Sequence, residues 1–88
     1  METTKPPSEA DIQAVVIRSV ADAAVLDPSR VSLDDDLFAT LGIDSLGAVV
    51  VWLELVQAYH VKEPDEQTAR GLNTPRKLIE YVSREVCA

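Results

Sequence analysis

Leu37-Phe38-Ala39-Thr40-Leu41-Gly42-Ile43-Asp44-Ser45-Leu46 joins an acidic loop to a long apolar stretch, and its reading decides the fold. Gly42 permits a tight or left-handed backbone just before the stretch begins. Asp44 is a good N-cap, because its carboxylate can accept orphan backbone N–H groups of a following helix. Ser45 then falls at the first helical position with its hydroxyl outside the regular ladder. An anion on that oxygen would lie near the positive end of a helix dipole. Taken alone, an Asp-Ser pair means no more than a helix cap.

The segment after Ser45 has two readings. Val49-Val50-Val51-Trp52 favours a strand, since β-branched side chains lose rotamer freedom in helices. Against that, 45–59 opens with a cap and has no breaker after Gly47. A run of roughly 15 residues is a helix length, not a strand length. Leu46, Val49, Trp52 or Leu53, Val56 and Tyr59 give a wide apolar stripe, and Val50 and Leu55 extend it almost round the helix. A surface helix this apolar implies that part of it is a contact surface. Val50 with Leu53, and Val49 with Trp52, form neighbouring rows. We expect Trp52 in the core and Val50 and Leu53 in the exposed row. Gly47 inside such a helix costs about 1 kcal/mol relative to alanine.

Working outward, Lys5-Pro6-Pro7 closes a flexible leader over 1–7. Ser8 caps a first helix, with Asp11 three residues on in a box-like arrangement. Ile12, Val15, Val16, Val20, Ala23 and Leu26 recur at helical spacing. Asp27-Pro28 stops that helix, since the residue before proline avoids helical dihedrals. The first helix is therefore expected over 8–26. Val31, Leu33, Leu37, Phe38, Leu41 and Ile43 make the connection over 27–43 a packed loop. Asp34-Asp35-Asp36 reads as a solvated corner. Three consecutive carboxylates diverge and cannot easily share one ion. Pro64-Asp65-Glu66 begins a short third helix that ends near Gly71. Thr74 caps a last helix with Pro75 at its first position, and Leu78, Ile79, Val82 and Val86 give it one apolar face.

Composition narrows the function. Eighty-eight residues make one small domain with little room for a buried active site. A formal charge of −7, from 15 acids against 8 bases, disfavours nucleic acid and anionic membrane as partners. It favours partners with basic patches. With Asp34, Asp35, Asp36 and Asp44 at one end, self-repulsion is expected to limit stability at low salt. One cysteine, Cys87, allows no internal disulfide, and with one histidine it offers no metal cage. A cytoplasmic monomer fits this composition. The apolar run at 46–53 is too short to span a bilayer, and Met1 leads us to expect a free-standing protein.

The run 37–46 resembles the L-x-x-L-G-x-D-S-L signature of acyl carrier proteins. The likeness extends over nearly the whole chain, through the Pro-Asp-Glu short helix to Thr74-Pro75-Arg76-Lys77-Leu78-Ile79-Glu80-Tyr81-Val82. It implies an all-α four-helix bundle over 8–86, with a long loop between helices I and II and a short helix III. The matching serine, Ser45, would carry 4′-phosphopantetheine from coenzyme A, with Asp44 and Leu46 flanking it. The helices would enclose a cavity able to shelter an acyl chain. Leu46, Val49, Val50, Leu53 and Glu54 would form the surface read by partners. Those partners would be a phosphopantetheinyl transferase and acyltransferases, ketosynthases or other acyl-processing enzymes. The chain departs from common fatty-acid carriers in having Gly47, Val50 and Val56 where acids are frequent, keeping only Glu54. That makes a polyketide or other secondary-metabolite role at least as fitting as fatty-acid synthesis.

Independent catalysis has little support. Gly42-Ile43-Asp44-Ser45-Leu46 is similar to the G-D-S-L hydrolase motif only with Ile43 interrupting it. A Ser-His-Asp device needs partners in register, and His60, the one histidine, has none nearby. The glycines 42, 47 and 71 are isolated and form no phosphate loop. The remaining alternative is an unmodified helical adaptor that docks partners through its apolar helix.

Overall fold

The computed structural model describes residues 8–87, and the expected leader over 1–7 lies outside them. Four α-helices and one short 3-10 turn follow in order: α1 (Glu9–Ala24), the turn Pro28–Arg30, α2 (Ser45–Tyr59), α3 (Glu66–Gly71) and α4 (Pro75–Cys87). There is no strand among the described residues. This is the all-α, four-helix arrangement with a long first loop and a short third helix.

The helix starts obey local capping chemistry. Ser8 Oγ accepts from Asp11 N–H, and Asp11 in turn accepts from Ser8 N–H. Asp44, Asp65 and Thr74 cap α2, α3 and α4 by accepting from Gly47, Thr68 and Lys77 N–H. Each satisfies a donor that the helix itself leaves orphaned.

The end of α1 differs from expectation. The helix stops at Ala24 rather than 26, because Val25 turns left-handed at φ 59°. Leu26 N–H donates to Ala21 O at 2.9 Å and Val25 N–H to Asp22 O at 3.2 Å. These nested bonds close a Schellman turn that satisfies the last carbonyls before Asp27-Pro28 forbids further helix. Glycine or asparagine normally occupies that position; here a β-branched residue does.

α1 packs against both α2 and α4. Tyr59 O–H at the end of α2 donates to Asp11 O near the start of α1, while Ala23 lies beside Gly47 at the start of α2. The two helices are therefore antiparallel. Ile12, Val16 and Val20 of α1, Val51, Trp52 and Leu55 of α2, and Leu78, Ile79 and Val82 of α4 build the core. Trp52 meets Tyr81 edge-to-face at 5.5 Å between ring centroids, a favoured aromatic geometry.

The stripe read from the sequence of α2 needs correcting. Leu46, Val49 and Leu53 are exposed, whereas Val51 and Leu55 are buried beside Trp52. The inward face runs through Ala48, Val51, Trp52, Leu55 and Tyr59. Almost every position of α2 is apolar, so hydrophobicity could not tell the inward side from the outward one.

The long loop is packed through five of the six apolar residues expected to pack it: Leu37 and Ile43 are buried and Val31, Leu33 and Leu41 half-buried, whereas Phe38 is exposed. It is also stitched to the distant end of the chain. Leu37 N–H donates to Asn73 O and Arg76 N–H to Leu33 O. Asp34 accepts from the Arg76 guanidinium at 2.9 and 3.2 Å. Asp36 accepts from Phe38 and Ala39 N–H and from Asn73 Nδ2, and Asp35 accepts from Ser32 N–H. The three acids are thus engaged by three different sets of donors. Arg76 pairs with Asp34, whereas Asp35, Asp36 and Asp44 accept only from neutral donors, so the low-salt self-repulsion expected of this end stays a matter for thermal melting against ionic strength.

Those bonds set the acid response. The Ala39 and Phe38 amides hold the Asp36 carboxyl below the ordinary aspartate range. Hydrogen bonding from Arg76 does the same for Asp34, from Ser29 for Asp27, and from Thr68 for Asp65. A carboxyl depressed by folding contributes stability that is fully present above its unfolded pKa of about 3.9 and is lost as pH falls through its lower folded value. The melting temperature should therefore hold between pH 5 and 7 in respect of these groups and drop below roughly pH 4. A melting temperature that rises on acidification from pH 5 to 3 would show net repulsion to dominate instead.

Candidate functional site

Ser45 is exposed at the first position of α2. Ile43 anchors the approach from below: it is buried, and its N–H donates to Leu37 O at 2.9 Å. Gly42 takes the left-handed turn at φ 75° that lets the loop swing into the helix. Asp44 Oδ1 accepts from Gly47 N–H at 2.8 Å. The cap thus falls to Asp44, and the Ser45 hydroxyl is left at the surface beside the positive end of the helix.

Gly47 has a use beyond this hydrogen bond. A methyl group there would stand 2.9 Å from Ile43 Cγ2, 3.4 Å from Asp44 Oδ1 and 3.8 Å from Ala23 Cβ. The helix penalty of glycine is thus tied to close packing of α1, the loop and α2 under the serine. Gly47→Ala should not deliver the gain of about 1 kcal/mol that helix propensity alone predicts. It should be neutral or destabilising in thermal melting; a clear rise in melting temperature would show that Ile43 yields freely.

A cavity of about 390 Å³ opens beside Ser45 between α2 and α3. Leu37, Ile43, Ala48, Trp52, Leu72 and Leu78 supply apolar lining, while Glu63, Glu66 and Arg70 bring charge. Arg70 pairs with Glu66 at 2.8 Å on the exposed side of α3. The volume lies within the range of small-molecule pockets. An exposed hydroxyl, a helix N-terminus and an adjoining apolar cavity together fit a tethered acyl group: the hydroxyl as attachment point, the cavity as shelter. A group tethered there would supply a thiol for thioester chemistry, with Ser45 as its anchor and the cavity lining as its shelter.

The structure places Asp44, Ser45 and Leu46, singled out in the sequence, together at the start of α2, beside a cavity wall that the sequence did not mark. Glu63, Arg70 and Leu72 lie on α3 and its approaches, where no periodicity marks a binding face. The outward row of α2 is as expected for Val50 and Leu53, at 41% and 51% exposure. Leu46 at 72% and Val49 at 47% join it. Glu54 sits half-buried at the edge facing α1, by Arg18 and Asp22.

Residues 14–82 match the family described as the phosphopantetheine attachment site. The chain is 31% identical to an acyl carrier protein of Rhodococcus erythropolis over 77 residues, covering 88% of this chain and 84% of that one. It is 28% identical to an acyl carrier protein of Amoebophilus asiaticus over 76 residues, 86% and 94% of the two chains. A meromycolate extension acyl carrier protein of Mycobacterium tuberculosis is 28% identical over 79 residues, 90% of this chain and 68% of that one. The chain belongs to the phosphopantetheine-binding carriers, and within them to the acyl carrier protein family. The prosthetic group of this domain is covalent 4′-phosphopantetheine. No helix among the described residues is long and apolar enough to cross a membrane.

Proposed function

We propose that this protein carries acyl intermediates as thioesters on a 4′-phosphopantetheine arm attached to Ser45, and presents them to acyl-processing enzymes without catalysing a reaction itself. The observation that carries this reading is the exposed Ser45 hydroxyl at the N-terminus of α2, opening onto an apolar cavity. Leu46, Val49, Val50, Leu53 and Glu54 form the partner surface in this reading. Their exposure, Glu54 being half-buried, supports it. Because the outward row carries valine and leucine rather than acids, a polyketide or other secondary-metabolite pathway suits it at least as well as fatty-acid or meromycolate-type synthesis. The runner-up is an adaptor that uses the same apolar row with no arm.

Intact mass after incubation with coenzyme A and a phosphopantetheinyl transferase separates the two. The carrier gains one phosphopantetheine unit, and fragmentation places it on the peptide containing Ser45. An unchanged mass with every transferase tried favours the adaptor.

A further inference from the structure

The end of α1 is built against local preference. Val25 holds a left-handed backbone at φ 59° and is 87% exposed. That conformation is strained for a β-branched residue, and such exposure returns almost nothing to the core. Leu26 beside it is also exposed. Glycine or asparagine would close the same turn with less strain. The Val25 backbone closes the turn, but its exposed apolar side chain has no evident use in the fold.

Its location points to a use outside the fold. Ala23 Cβ lies 3.8 Å from where a Gly47 side chain would begin, so the last turn of α1 abuts the first turn of α2. Val25 and Leu26 thus sit at the Ser45 end of the molecule, as do the exposed Leu46 and Val50. Acids outnumber bases around this apolar set: Asp22 and Asp27 flank Val25 and Leu26 in sequence and exposed Asp44 precedes Ser45, against exposed Arg30 in the turn that packs on α1. An apolar centre with an acidic border matches a partner with an apolar depression rimmed by Lys and Arg. A second copy of this chain would set acid against acid.

We propose that Val25, with Leu26, is an anchor by which a phosphopantetheinyl transferase grips this carrier. The transferase is the partner whose active site must reach the Ser45 hydroxyl itself, so it must cover this end of α1 and α2. The inference rests on the Ser45 reading and adds a second helix end to its partner surface.

Stability and recognition should move in opposite directions here, which makes the test decisive. Val25→Asn removes the strain and the apolar side chain together. Val25→Leu keeps an apolar side chain. With a transferase that modifies the wild-type protein, Val25→Asn should melt about 2–6 °C higher. Its KM for the carrier should nevertheless rise about five- to tenfold with kcat little changed, as expected when one apolar side chain no longer buries itself in the partner. Val25→Leu should keep a KM within about twofold of wild type. An unchanged KM in Val25→Asn, or an equal rise in Val25→Leu, overturns the inference while leaving the Ser45 reading intact. A wild-type protein that accepts no phosphopantetheine from any transferase overturns the Ser45 reading and this inference with it.

Discussion

Ser45→Ala should accept no phosphopantetheine at all, while folding as the wild type does. The cap of α2 is made by Asp44 Oδ1 on Gly47 N–H, so removing the serine hydroxyl leaves that bond in place. Alanine is the best helix former and the position is exposed, which keeps the change in stability within about 0.5 kcal/mol. Intact mass and thermal melting, run together, make the comparison. Asp44→Ala is the informative contrast: loss of the cap costs about 1 kcal/mol, yet the attachment hydroxyl survives. A modified Ser45→Ala protein would refute the assignment of the arm to Ser45.

Two neighbouring substitutions should have opposite fates. Val50 is 41% exposed and Val51 is 2% exposed. Val51→Glu would bury a carboxylate with no partner in the apolar core that holds Ile12, Trp52 and Leu55, at a cost of several kcal/mol. A domain of this size has only about 4–13 kcal/mol to lose. Circular dichroism should show Val51→Glu largely or wholly unfolded. Val50→Glu places the same charge one residue earlier, in solvent, and should retain the helical spectrum with a small change in melting temperature. In the proposed role it should also weaken the natural partner and improve recognition by fatty-acid enzymes that expect acids there. If Val50→Glu unfolds like its neighbour, the outward row of α2 is not a free surface.

The contrast between these two valines shows where sequence reading ends. Ser8, Asp44 and Thr74 are legible because a cap is a local event, made within three residues of itself. Ser45 is legible because its neighbours form a contiguous signature. The sides of α2 are not: an almost uniformly apolar helix carries no contrast for periodicity to detect, and only packing against α1 and α4 selects Val51 over Leu46. Val25 is hidden for a related reason. Asp27-Pro28 announces that α1 must stop, but not that it stops two residues early through a left-handed valine. The acids at 34–36 read as a solvated corner, and Asp34 is indeed exposed, but two of the groups that bind them are remote. Arg76 is 42 positions from Asp34, and Asn73 is 37 from Asp36.

The two walls of the cavity beside Ser45 differ in how they are held. α2 sends Trp52 and Leu55 into the core, whereas none of the residues of α3 is buried, and its six residues are secured mainly through the segments on either side. Displacing α3 outward would expose little apolar surface; displacing α2 would open the centre of the molecule. The cavity is therefore compliant in one direction only. A longer or bulkier guest would meet less resistance from the short wall than from the long one. Ser45 belongs to the firmly packed wall.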